Sequence, residues 1–149
     1  MISAERYHDI SCGHRVAGHE SKCAHLHGHN YRIHFKVVSH NLSEENQTGL
    51  DSLGRVLDFG VIKEKLCMWL EDKWDHKFLV WEKDMWADVL YQLDRQGTVL
   101  VPFNPTAENM ADHLLLVVGP AALTGTGCTL ISVRVDETRK CSATSELYV

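Results

Sequence analysis

The chain has 149 residues, a formal charge of -5 and 44% hydrophobic residues, which suits one domain spanning 1–149 with a sizeable core. The acid excess, without any Lys/Arg block, excludes an extended nucleic-acid footprint, and no apolar run reaches the roughly 18 residues of a membrane span. The opening "MISAERYHDI" lacks the apolar stretch of a signal peptide, so a cytoplasmic protein is expected. Five cysteines, an odd number without close pairing, are expected to be free thiols, and ten histidines are many for the length.

A first strand is expected over Arg6–Cys12. A clearer second one covers Asn30–Ser39, where Tyr31, Ile33, Phe35 and Val37 alternate with Arg32, His34 and Lys36. Residues Asn41 to Gly54, "NLSEENQTGLDSLG", are rich in turn formers and predict a long loop, with a short strand at "RVLD" after it. Phe59, Ile62, Leu66 and Trp69 then recur at helical spacing, with Asp58 placed to cap the start. Cys67 on this helix is expected to fill core space. A weaker helix is expected near Met85 to Gln96, stopped by Gly97, and "TVLV" is the next strand. In "NPTAENMADHLLLVVGP", Thr106 is the expected N-cap, Glu108 suits the first turn's dipole, and Gly119-Pro120 should end the helix. The last strand is Thr129 to Glu137. Strands in hairpin-like pairs with a few helices indicate an α+β domain with its helices on one sheet face.

His27-Gly28-His29 enters the second strand, where residues two apart share a face, so two imidazoles aim at one point. Gly28 removes bulk where the backbone passes close to whatever they hold. His14, His19 and His25 are each available as a third ligand. His14 is favoured because it ends the first strand, which would pair with the second, whereas the other two lie in the connecting loop. Three histidines with an open position describe a catalytic zinc; with Cys23 as a fourth ligand the same residues would make a closed structural site. Glu137 falls by alternation on the face of Ile131, Val133 and Val135. It is either a carboxylate with a bound partner, such as the N–H edge of a pterin or purine, or a strand end in solvent. Asp75-His76 reads as an exposed helix-end pair unless a turn lets the carboxylate orient the imidazole for acid–base work.

Taken in order, "CGHR", "CAHLHGHNY", "LDF", "WDHKFL", "NPTAEN" and "VRVDET" resemble the 6-pyruvoyltetrahydropterin synthase / 6-carboxytetrahydropterin synthase family over essentially the whole chain. The resemblance implies that His14, His27 and His29 bind zinc and that Cys23 is the catalytic thiol. Asp75 and His76 would complete its relay from a neighbouring subunit, and Glu137 would anchor the pterin, helped by Thr106 and the start of its helix. Lys22 is the expected cation for a triphosphate; Arg15 is a second, unless it is held in a structural ion pair. The implied fold is the tunnelling fold, an antiparallel sheet with helices on one side, assembled through trimers into a hexameric barrel. Val80 departs from the family pattern, which often has Asn there, and the 41–54 loop looks extended.

The Cys-x3-His-Gly-His spacing of "CAHLHGH" resembles the bacterial 6-carboxytetrahydropterin synthases of queuosine biosynthesis, whereas pyruvoyl-forming relatives carry a longer Cys-x5 spacing. The implied reaction converts 7,8-dihydroneopterin triphosphate to 6-carboxy-5,6,7,8-tetrahydropterin, releasing acetaldehyde and triphosphate. The alternatives are a pyruvoyl-forming synthase and a non-catalytic, zinc-stabilised binding module.

Overall fold

The computed structural model describes residues 1–148. Alternation over Ser3–His14 (β1) and His27–Ser39 (β2) turns Ile10, Cys12 and His14 of one strand, and Tyr31, Ile33, Phe35 and Val37 of the other, to a common buried face. The two strands pair antiparallel from Ser3 opposite Val38 to His14 opposite His27. Both outrun their expected bounds: at one end the ladder continues through Gly and His positions that carry no apolar signal, and at the other Ser3, Ala4 and Glu5 pair with Val38, Val37 and Lys36.

Cys128–Asp136 (β5) pairs antiparallel with β2, and Ser142–Glu146 (β6) with β5. On the far side of β1 run Phe78–Trp81 (β3) and Thr98–Val101 (β4), each parallel to its neighbour. The sheet order is β4-β3-β1-β2-β5-β6, a mixed sheet where an antiparallel one was expected. The cause is β3, which sequence reading missed. Hydrogen bonds from Gly13 N to Lys77 O (2.9 Å) and from His76 N to Ser11 O (2.7 Å) seat its approach alongside β1. It reaches β4 through a helix, the kind of connection a parallel pair needs. Val80, fully buried in β3, fills an apolar position. β6 was also missed, since "SATSE" offers a single apolar residue on a half-exposed edge.

Two long helices cover the buried face. The first, α1 (59–73), starts where Asp58 accepts from Gly60 N at 2.7 Å, and it widens into a π turn at Lys63–Cys67. That turn brings Leu66 and Cys67 inward together with Ile62 and Leu70, while Phe59, counted in the expected stripe, is exposed. Burial raises the Cys67 thiol pKa, in keeping with a packing role. The shorter α2 (Ala87–Leu93) stops before Gln96, because Asp94 turns the chain by accepting from Gly97 N. Its stripe of Trp86, Val89 and Leu93 is exposed. The last helix, α3 (107–122), begins with Thr106 Oγ1 accepting from Asn109 N at 3.1 Å. It passes through Gly119-Pro120 instead of ending there. A π turn at Leu114–Val118 resets the register, so Pro120 sits at a fresh helix start where its missing N–H is tolerated.

The expected strand at "RVLD" does not form. Val56 and Leu57 pack partly buried in irregular backbone, and Arg55 is held between Asp51 and Asp58. The long loop before it is ordered by Asn46, whose side chain accepts from Gly49 N and donates to Leu50 O. In β5 a bulge lets Lys36 face Ser132 and Val37 face Leu130. Ile131 is the extra residue, so the run carrying Glu137 inward begins only at Val133. Among the described residues no helix is long and apolar enough to cross a membrane.

At the end of the β1–β2 pair Gly13 stands opposite Gly28. A Cβ on Gly28 would lie 3.0 Å from the Cys12 carbonyl oxygen, and one on Gly13 would lie 2.5 Å from the Phe78 ring. Gly28 therefore makes room for the paired strand, not for whatever the histidines hold. Gly28→Ala presses on backbone and should lower stability by about 1–3 kcal/mol. Urea denaturation measures this; an unchanged midpoint would mean the strands have slack there.

Candidate metal and thiol site

β1 ends at His14 directly opposite His27, and His29 stands opposite Cys12. One ligand nitrogen from each of His14, His27 and His29 lies within 4.8 Å of the others. His14 Nδ1–H donates to the Pro105 carbonyl at 2.6 Å, and His27 Nδ1–H donates to the His25 carbonyl at 2.7 Å. Each bond leaves Nε2 with its lone pair free for a cation. His29 Nε2 is buried and has no hydrogen-bond partner among the described residues; Glu137 Oε1, 3.3 Å away, is close enough for attraction but outside bonding geometry. A buried orphan nitrogen beside two oriented imidazoles fits a metal such as zinc. Burial also pushes the pKa of His14 and His29 down, which favours the neutral form that a metal requires.

Two further residues on this face were not singled out by sequence reading. Tyr31 is fully buried, with its hydroxyl 3.3 Å from His14 Nε2. Burial raises its pKa, and the charges of Cys12, Glu137 and Cys23 add to the effect. The Cys12 thiol is pushed up to about 12 by burial, then by Asp75 and Glu137, and is chemically quiet. The signal for both was the two-residue alternation, read on from His29 to residue 31 and back from His14 to residue 12.

Cys23 lies half-buried, as a free thiol, in a short 3₁₀ turn, Lys22–Ala24, between β1 and β2. Lys22 beside it is exposed. The His19 ring accepts from Ser21 N at 2.9 Å, and His25 supplies its carbonyl instead of its ring, so neither joins the triad. Arg15 is buried against Asp84 and is unavailable to a phosphate. Thr106 caps α3 next to Pro105, whose carbonyl orients His14. Glu137 sits just past β5 with its side chain 24% exposed, turned towards His29 and not into open solvent.

Asp75 and His76 do face each other within one chain. His76 adopts φ 59°, which folds its ring back so that Nδ1 lies 2.8 Å from Asp75 Oδ2. The other Asp75 oxygen accepts from Ser11 N at 2.9 Å. Burial works against ionisation, but these two hydrogen bonds hold the carboxyl below its usual range. The His76 ring remains 80% exposed. With Glu137 the pair lines an open cleft of about 1080 Å³, whose wall does not include Cys23 or His14.

A model of the 6-pyruvoyl tetrahydropterin synthase family matches residues 3–147. The chain belongs to that family. A Rickettsia felis relative, named 6-carboxy-5,6,7,8-tetrahydropterin synthase, is 32% identical over 144 residues, 95% of this chain and 97% of its own. A Halobacterium salinarum relative, named a probable enzyme of the same kind, is 33% identical over 73% of this chain and 64% of its own. The fold matches 6-pyruvoyl tetrahydropterin synthase from Plasmodium vivax at TM-score 0.68 and 18% identity, with both chains fully covered. It also matches an uncharacterised protein from Wolinella succinogenes at TM-score 0.79 and 20% identity, over 97% of each chain. Residues from strands β1 and β2 thus build the His triad on the family's sheet.

If these three imidazoles are the protein's metal shell, His27→Ala should lose most bound zinc, while His19→Ala and His25→Ala retain it. Metal content after gel filtration decides; equal loss in all three would remove His27 from the shell.

Proposed function

We propose that the chain is a zinc-dependent 6-carboxy-5,6,7,8-tetrahydropterin synthase, a lyase acting on 7,8-dihydroneopterin triphosphate in the cytoplasm, on a route to queuosine. The observation that carries this reading is the convergence of three imidazoles next to a half-buried carboxylate and a buried hydroxyl. The Cys-x3-His-Gly-His spacing and the name borne by the Rickettsia relative support the carboxypterin product over the pyruvoyl one.

His14, His27 and His29 would hold the zinc, which when bound supplies a Lewis acid for the substrate's side-chain oxygens. Cys23 takes and returns a proton at the neighbouring carbon. Glu137 accepts from the N–H edge of the pterin, and Thr106 at the start of α3 helps to seat it. Lys22, exposed beside the thiol, meets the triphosphate. His76, held by Asp75, carries protons during triphosphate loss and carbon–carbon cleavage. Its exposed ring, on a cleft whose wall does not include Cys23, suits service in a neighbouring copy's site, in keeping with a trimer-based hexamer.

Zinc-loaded protein given 7,8-dihydroneopterin triphosphate should release acetaldehyde in step with carboxypterin. Pyruvoyltetrahydropterin without acetaldehyde would reassign the product and leave the site roles intact.

Cys23→Ala separates catalyst from ligand. It should keep its zinc and its fold while turnover falls by about 10²–10⁴. Zinc lost in parallel with activity would make Cys23 a ligand and the site structural.

A further inference from the structure

The turn that carries Cys23 has little of its own to hold it. Lys22–Ala24 contains no buried residue, and its N-cap Ser21 makes no side-chain capping bond. A thiol that must meet one carbon of a bound substrate needs tighter placement than such a turn provides, since a displacement of about 1 Å can cost about a hundredfold in rate.

The missing restraint comes from the residue after the first metal ligand. Arg15 is 6% exposed. Its Nε and one terminal nitrogen grip both oxygens of Asp84, at 2.5 and 2.9 Å, and the Asp84 side chain is fully buried. Its remaining terminal nitrogen donates to the Ala24 carbonyl at 2.7 Å. The guanidinium carbon lies 3.9 Å from the centroid of the Trp86 ring. Next to it, Val16 N donates to the Cys23 carbonyl at 2.9 Å. The carbonyls of the thiol residue and of its successor are therefore both tied to the two residues that follow His14. Asp84 is itself fixed, accepting from Trp86 N at 2.9 Å while its own N–H donates to the Trp81 carbonyl.

We propose that Arg15, clamped between Asp84 and Trp86, is a positioning residue that fixes the Cys23 thiol relative to the His14 end of the metal site. This rests on Cys23 being the catalytic thiol. The planar fork of arginine suits the task, because it can hold a carboxylate with two N–H groups, reach a carbonyl with a third and stack on an indole at once. Lysine keeps the charge and loses that geometry.

The test uses the full zinc-loaded chain as Arg15→Lys. The variant should keep its zinc, with kcat lowered about tenfold to a hundredfold and KM within about twofold. Amide exchange at Val16, whose N–H is held by the Cys23 carbonyl, should speed up, whereas exchange in the core strand β2 should not. A purely structural role would move stability and zinc content and leave no selective loss of kcat. Faster exchange at Val16 with unchanged kcat overturns the proposal, and so does unchanged exchange. If Arg15→Lys fails to fold, Trp86→Leu serves. Trp86 is 38% exposed, and its loss leaves the Arg15–Asp84 pair in place; it should give a smaller change in the same direction in both readouts, and no change in either overturns the proposal. The parent reading fails separately: full activity in Cys23→Ala would dismiss the thiol while leaving the exchange result for Arg15→Lys as it stands.

Discussion

The pairing of β1 with β2 at their outer ends is the constraint on which the rest depends. With His14 opposite His27 and Cys12 opposite His29, alternation delivers three imidazoles, His14 buried and the other two half-buried, to one point. A slip of one residue would turn Gly28 and Asn30 inward and send the histidines to the other face. Register is held where it matters by the twelve paired positions of the ladder and by the core residues Ile33, Phe35 and Val37, all fully buried. The same core that stabilises the domain therefore sets the geometry of the site. The glycine pair at the site end lets the two backbones stay close up to the last rung.

Placing imidazoles on a core face carries an energetic conflict, since buried polar atoms cost free energy unless they find partners. The structure resolves most of it with backbone carbonyls. Pro105 and His25 each take one N–H, which fixes the ring and its tautomer together. What remains is His29 Nε2, without a hydrogen-bond partner among the described residues, and a bound cation is the natural way to satisfy it. The start of α3 matters here for more than its cap, because Pro105 ties that helix terminus to His14.

Much of this was legible from residue order. The β2 alternation, the Asp58 and Thr106 caps and the inward Cys67 all follow from local rules and are found as expected. His14 was separable from His19 and His25 because strand ends converge and loop residues need not. The parallel half of the sheet was not legible, since β3 is four apolar residues with no period to read and its partner choice depends on long-range contacts. The π turns hid helix continuity at Gly119-Pro120. The bulge at Ile131 is a property of two strands together, so no reading of β5 alone could place it. Arg15 was ambiguous for a related reason: its partner Asp84 is remote in sequence, and only tertiary structure reveals that the pair is buried.

The site also divides its chemistry by the stiffness of its supports. His14, His27 and His29 stand on regular paired strands, where the spacing of the imidazoles is set by the ladder. The thiol stands on a short turn, restrained by hydrogen bonds from outside it. The Asp75–His76 pair stands on a tight turn in which the histidine adopts a left-handed backbone, a conformation that a residue with a Cβ disfavours. That strain is sustained because His76 N and Ser11 N bind the turn to β1 from both sides, the first to the Ser11 carbonyl and the second to the Asp75 carboxylate. Without the left-handed residue the ring would point away from its carboxylate, as neighbours in a chain ordinarily do. The strained torsion is therefore what converts two adjacent residues into an oriented pair, and its anchoring to β1 links the pair to the same strand that positions His14.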